Sequence, residues 1–510
     1  MKQRITYVVK DPDSFTPEQL GVQKHDVQGS FSVTGVEAAK ELRITLGLDE
    51  LPSELSAAFQ TWHELHVRWV SPEPYVSTPP FTSRVSPGLH VLFTPRKSTP
   101  EHALCDQLHR FVDSGLKCTS INETSIKLPV ISERFSMSAS AQYYTFRPSI
   151  RDIALRLSDQ ICGGYDDACE ILITELASAS YIDIDYDTIT RAVVINAGWP
   201  SGRGGGAWTE TVYRYRNKGT VEIGVLTHEP NPDPEDIQFG GFLTVLGQDS
   251  SPKPTRFQTP ARHYPLLSPS SSSPTPQPHP LTYTTSFQHP TGLHPTLLLT
   301  FPSRHLTPPN PSCKLHTHLT LPSYLFIDKY QFTDPLFLSS KNIKSLRSLS
   351  GATDLEAPDW VIKEWGSAAL FELANTQTQS PSAQLNVSIP LHLRYLPASN
   401  TSHTRVPVPW PVVFWACRAD EGAKMAANPF DRVHLGYEAL FGLKTRFMHV
   451  EPKTSGGELV EWIDVPVLDL NKTGWVEWGT LGTVVLAFAG LCWVLFGRGW
   501  KRVESGKKTQ

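Results

Sequence analysis

The chain has 510 residues, 39% of them hydrophobic and 19% charged, with a formal net charge of −4. That length leaves room for two or three domains, and the near-neutral balance excludes the basic footprint of a nucleic-acid binder. Proline is abundant at 43 residues, and each interior proline costs a helix a hydrogen bond and a clash. The expected fold is therefore mainly β, with sandwich-like bodies and proline-punctuated loops.

In chain order, the start Met-Lys-Gln-Arg-Ile-Thr-Tyr-Val-Val-Lys10 has no apolar h-region, so no ordinary signal peptide is expected. Short β-like runs follow at Ile5–Val9, Val193–Ile195 and Val221–Val225, and helical patterning at Val36–Leu46 and Asp152–Leu176. Residues 1–248 form an N-terminal region, β-rich with some helix. From Ser250 to Pro280 there are nine prolines and seven serines, so 249–280 is expected to be a linker. A membrane-proximal β region, 281–476, comes next. Its clearest strand is Leu385–Tyr395, in which Leu385, Val387, Ile389, Leu391, Leu393 and Tyr395 share one face. Asn386, His392 and Arg394 fall on the other, wet face, and Pro390 predicts an edge strand or a bulge.

Between Glu477 and Arg498 lie twenty residues without a formal charge, Trp478–Gly497. At the rise of a helix they span about 30 Å, the thickness of a bilayer's hydrocarbon core, and tryptophans flank both ends. The tail 498–510 carries five Lys/Arg, which places it in the cytosol and the body in a lumen. The missing signal peptide argues the other way, for insertion after synthesis with a cytosolic body. Sequons at Asn122, Asn386, Asn400 and Asn471 favour the lumen. So do the six cysteines outside the span, Cys105, Cys118, Cys162, Cys169, Cys313 and Cys417, an even number suited to disulfides.

Candidate chemistry is sparse. Asp183-Ile-Asp-Tyr-Asp187 has the Asp-x-Asp form with which some glycosyltransferases hold a metal and a sugar nucleotide. A solvated strand face is the simpler reading of the same three aspartates. Ser201-Gly-Arg-Gly-Gly-Gly206 lacks the Gly-Lys-Ser/Thr ending of a phosphate loop and reads as a turn. Cys313, His316 and His318 offer only three ligands, and the two histidines read as a strand-surface pair. No catalytic, cofactor-binding or metal-binding residues are assigned.

Four ordered blocks carry a resemblance: Leu321-Pro-Ser-Tyr-Leu-Phe-Ile-Asp-Lys-Tyr330, Leu355-Glu-Ala-Pro-Asp359, Ile389-Pro-Leu-His-Leu-Arg-Tyr-Leu-Pro397 and Val408-Pro-Trp-Pro-Val-Val-Phe-Trp-Ala-Cys417. Followed by one span, they resemble the PIG-X family in its long fungal form, the protease-B-nonderepressible proteins. The resemblance covers roughly 281–500 and implies an endoplasmic reticulum membrane protein with a lumenal body. It further implies a non-catalytic subunit that stabilises the multi-span catalytic subunit of GPI mannosyltransferase I, the enzyme adding the first mannose to the GPI precursor. A chaperone-like role for lumenal proteins goes with it. His392, Arg394, Tyr395, Pro411, Phe414 and Cys417 are the structural or partner-facing candidates, with Arg394 on the wet face the foremost. The competing readings are a type I membrane glycosyltransferase using Asp183 and Asp185, and a general lumenal chaperone or cargo receptor.

Overall fold

The computed structural model describes residues 1–23, 29–130, 138–161, 173–214, 220–230, 237–259, 281–302, 306, 308–374, 384–418, 430, 432–442 and 444–497. The fold is mostly strands with one long apolar C-terminal helix, as the composition predicts. Among the described residues an eleven-stranded sheet dominates the N-terminal half. Its middle runs Thr220–Glu229, Lys2–Val9, Ala38–Gly47, Ala192–Trp199, Tyr181–Asp187, Trp62–Val70 and Gly88–Pro95. Lys2–Val9 pairs parallel with Thr220–Glu229 and antiparallel with Ala38–Gly47. A three-stranded sheet, Leu20–Gln23, Ser30–Val36 and Trp208–Tyr213, adds Phe31, Val33 and Trp208 to the same core.

Two expectations fail here. Val36–Leu46 is not helical: Ala38–Gly47 is a central strand between two partners. Its alternation is hidden by Lys40, which is buried, ion-paired to Glu175 (2.6 Å) and Glu210 (2.7 Å), and lies over the Trp208 ring. Tertiary pairing overrides the local helix propensity of Glu-Ala-Ala-Lys-Glu-Leu. The linker expectation also begins too early, because Lys253–Thr259 pairs with Ile237–Leu246 as the sheet's last strand; residues 260–280 lie outside the described residues. Of the predicted helix Asp152–Leu176, Arg151–Ile161 is observed, while Cys162 and Cys169 fall outside the described residues.

The membrane-proximal half is a sandwich. One sheet orders Leu385–Pro390, Thr296–Phe301, Thr282–Phe287 and Glu451–Pro452; the other orders Ile343–Gly351, Gly366–Leu373, Lys314–Pro322, Val412–Arg418 and Thr445–His449. Leu297, Leu299, Val387 and Ile389 face Leu315, Leu319, Phe371 and Trp415 across a shared core. Leu385–Pro390 is an edge strand, as Pro390 requires. Cys313–Cys417 joins the residue just before the strand Lys314–Pro322 to its neighbour Val412–Arg418, and Cys105–Cys118 ties a helix of the N-terminal half to a loop.

The central strands of the five-stranded sheet are buried on both faces, while its edge strand Ile343–Gly351 keeps exposed residues, Lys344 and Arg347. The outer side of the sheet meets the N-terminal half through Val70, Val85, Tyr181, Leu370, Phe414, Leu435 and Tyr437. His316 and His318 are therefore buried rather than on the strand surface. Further ties cross the seam: Arg432 to Asp183 at 2.9 Å, Trp365 Nε1 to the Gln142 carbonyl at 2.9 Å, and Ser77 to Glu451.

His90, His318 and His449 are held in their neutral form at the seam. Burial pushes His90 down to about 4, and His318 and His449 down to about 3. In the unfolded chain they protonate near pH 6.5, so as pH falls from there towards 4 the unfolded state binds protons first. Glu41, raised by burial to about 7, and Glu438 and Glu461, also raised by burial, work in the opposite sense as pH rises, while His316, pushed down by burial to about 4, adds to the three histidines. We predict that the body loses stability below pH 6.5, by about 1.4 kcal/mol per pH unit for each neutral-locked histidine. Thermal midpoints of the full chain at pH 7.5 and 5.0 check this; equal midpoints would contradict it.

Candidate interaction surface

The predicted strand Leu385–Tyr395 breaks after Pro390, and the short strand His392–Leu393 pairs instead with Leu325–Phe326. The break reverses the facing of the two residues that follow. Arg394 is only 2% exposed, and Tyr395 is 64% exposed. The wet-face placement of Arg394 is thus corrected. Its side chain turns inward because backbone carbonyls wait for it there. Nε donates to the Ser323 carbonyl at 3.0 Å, and the guanidinium also donates to the carbonyls of Asp354 and Ala357. The same guanidinium lies 4.3 Å from the centroid of the Phe326 ring. A planar five-donor fork suits this position, and lysine could not replace it.

Arg394 thereby fixes the stretch that carries Trp360. Asp359 is buried, accepts from Ser323 Oγ at 2.6 Å, and its backbone N–H donates to the Tyr395 carbonyl at 3.0 Å. Trp360 and Val361 project outward from that turn and remain more than half exposed. With Leu293, Tyr395, Leu396 and Leu468, Trp360 lines an open and almost wholly apolar groove of about 860 Å³.

The groove adjoins the membrane helix. Ser399 N donates to the Leu468 carbonyl, Leu470 N donates to the Ser399 carbonyl, and Asn471 Nδ2 donates to the Asn400 carbonyl at 3.1 Å. Asp469 caps the turn Leu470–Lys472, from which the helix Thr473–Cys492 continues into Trp493–Gly497. This helix starts five residues before the charge-free run, so Trp475 and Glu477 form its first turns (478 − 473 = 5). The stretch Leu470–Phe496 is long and apolar enough to cross a membrane, and none of its most apolar window is buried against the body.

The remaining candidates are interior. Phe414 is fully buried, stacked on Tyr437 at 4.4 Å and on His316 at 5.7 Å. Cys417 is disulfide-bonded, and the buried Pro411 accepts from the Tyr283 hydroxyl through its carbonyl. His392 is half-buried, stacked on Phe326 and 3.0 Å from His294 Nδ1, and burial lowers its pKa. Asn122, Asn386 and Asn400 are exposed, as is Asn471.

Asp183, Asp185 and Asp187 do not converge on a common cation. Asp183 is 3.1 Å from Arg68 and 2.9 Å from Arg432. Burial opposes ionisation of Asp185, yet Arg68 at 3.3 Å and His66 at 2.8 Å hold its pKa down at about 2. Asp187 is taken up by the turn that follows, accepting from Thr190 and from the Ile189 N–H. A sugar-nucleotide metal would have to displace arginines from the first two.

Sequence reasoning missed Trp360, Val361 and Leu468, because an exposed apolar residue has the same hydropathy as a buried one. It also missed Glu64 and His66, because their neighbour His434 lies hundreds of positions away and meets them only through the seam.

These features define a class: a two-part β body with internal disulfides, carried on one C-terminal membrane-length helix and presenting an apolar surface beside it. The family model PIG-X / PBN1 matches residues 290–496. Similar along nearly their whole lengths are "Protein pbn1" of Emericella nidulans (41% identical over 100% of this chain and 98% of that one) and of Aspergillus oryzae (40%, over 100% and 98%). "Protein pbn1" of Neurospora crassa is 38% identical over 98% of this chain and 95% of its own. The chain belongs to the PIG-X / PBN1 family, and that membership supports a role in GPI-anchor biosynthesis.

Replacing Arg394 by Ala should destabilise the body itself, by about 2–4 kcal/mol, since several buried carbonyls lose a charged donor. Arg394→Lys should recover less than half of that loss. Thermal or urea unfolding of the full chain checks both; an Arg394→Ala protein as stable as the parent would contradict the inward role.

Proposed function

We propose that the chain is a non-catalytic, stabilising subunit of the endoplasmic reticulum GPI mannosyltransferase I, which adds the first mannose to the GPI precursor. The body lies in the lumen, the C-terminal helix crosses the membrane, and the tail 498–510 is cytosolic. The groove of Trp360, Tyr395, Leu396 and Leu468 receives lumenal-side residues of the multi-span catalytic subunit. The same apolar surface serves a chaperone-like role towards lumenal proteins.

One observation carries this reading: the apolar groove is tied by backbone hydrogen bonds to the first residues of the membrane helix. Any multi-span neighbour of that helix is then within reach of Tyr395 and Leu468. Exposed apolar surface of this kind marks interaction sites, and aromatic anchors typically dominate them. Along the helix Gly479, Gly482, Ala487, Ala489 and Gly490 allow close approach of a second helix. The disulfides Cys105–Cys118 and Cys313–Cys417 and the exposed sequons Asn122, Asn386 and Asn400 fit an oxidising, glycosylating lumen.

The test is the double variant Tyr395→Ser with Leu468→Ser. At about 1–2 kcal/mol per anchor, recovery of the multi-span partner with the chain should fall roughly tenfold or more. The variant's own abundance and thermal midpoint should stay unchanged, since both side chains are exposed. Normal partner recovery with a normally folded variant would reject the docking surface. Mannose transfer by the purified chain alone would overturn the non-catalytic reading.

A further inference from the structure

A second cluster lies at the seam, apart from the groove. Glu64 and His66 stand on the strand Trp62–Val70, and His434 comes from the chain just before the turn Glu438–Leu440 of the other half. One ligand atom from each of these three residues lies within 4.8 Å of the others. His66 is 3% exposed, and its Nδ1 bonds to Asp185 Oδ1 at 2.8 Å. Donation of the Nδ1 proton to that carboxylate leaves a lone pair on Nε2, which is buried and has no hydrogen-bond partner among the described residues. His434 Nδ1 is likewise buried and without a hydrogen-bond partner.

The spacings and the chemistry both point to a metal ion. His66 Nε2 is 3.7 Å from Glu64 Oε2, and His434 Nδ1 is 4.0 Å from Glu438 Oε1. Tetrahedral zinc, with bonds of about 2.1 Å, sets its donors roughly 3.4 Å apart. A carboxylate behind a ligating histidine, as Asp185 stands behind His66, is the usual support of a zinc site. Charge supports the same reading. Arg68 and Arg432 are matched by Asp183 and Asp185, whereas Glu64 and Glu438 have no Lys or Arg ion-pair partner among the described residues. A divalent cation would balance the Glu64 carboxylate.

We propose that Glu64, His66 and His434 bind one zinc ion, with Glu438 or water as the fourth ligand, and that the ion clips the two halves of the body together. The site is structural. Nitrogen and carboxylate donors together select a borderline cation of the zinc type over calcium or magnesium. The two imidazoles stack with centroids 3.4 Å apart, so one ring turns as the ion binds. His434 is the one that turns, because it sits on irregular chain while His66 is held by the strand and by Asp185.

The experiment uses the full chain, carrying no polyhistidine tag, purified in detergent without chelators and analysed for metals by mass spectrometry. About one zinc per chain is expected, and cobalt substitution should give the visible bands of a tetrahedral site. His434→Ala and Glu64→Gln should each lower zinc retention about tenfold or more. If His434→Ala fails to fold, Glu64→Gln and the metal content of the parent still decide. A parent chain that neither carries zinc nor takes up added zinc or cobalt overturns the proposal. So does zinc content that both variants leave unchanged.

Discussion

Asp183 is a buried carboxylate shared by two guanidiniums, Arg68 of the same sheet and Arg432 of the membrane-proximal half. Such a cluster is weak evidence for net stability, since desolvation offsets most of its attraction. Removing one member is another matter: an uncompensated buried charge costs about 3–5 kcal/mol. The cluster therefore acts as a constraint on how the halves meet. Where it closes, Phe414, Tyr437 and Tyr181 pack into one small core, and His318 and His449 are kept dry and neutral. The same closure covers the outer face of the sheet's central strands, while the apolar groove at the membrane end stays exposed.

Much of this fold was legible in the residues. The β-rich class, the edge position forced by Pro390 and the membrane-length helix all follow from composition and periodicity. The failures share one physical cause, which is that buried polar side chains break the hydrophobic patterns being read. Lys40 disguised a central strand as a helix. His316 and His318 suggested a wet face that is in fact packed against the other half. Arg394 looked solvent-facing because alternation was extended through Leu393, where the chain leaves its strand and turns the guanidinium towards carbonyls of the loops around Ser323 and Asp354. The recognisable block Ile389–Pro397 proved informative in an unexpected way. Its arginine builds the platform from inside, and its tyrosine lines the groove outside.

The three aspartates of the Tyr181–Asp187 strand show the converse. They share a face, as alternation requires, yet arginines, a histidine and a turn divide them. Arg68 and Arg432 lie over a hundred residues from that strand, so no local reading of Asp-Ile-Asp could reveal them. What remains exposed at the membrane end is an apolar groove joined to a membrane helix. In a family tied to GPI-anchor biosynthesis, that arrangement is the surface on which the proposed subunit role rests.

The account stands on which side of the membrane the body lies, because disulfides, glycans and the docking groove all require the lumen. Intact microsomes treated with protease and then with endoglycosidase measure this directly. The account predicts a body of nearly full size that is protected until detergent is added, shortened only by loss of the tail 498–510, and shifted in mobility when glycans at Asn122, Asn386 or Asn400 are removed. A body digested in intact microsomes and carrying no glycan would place it in the cytosol and contradict the account.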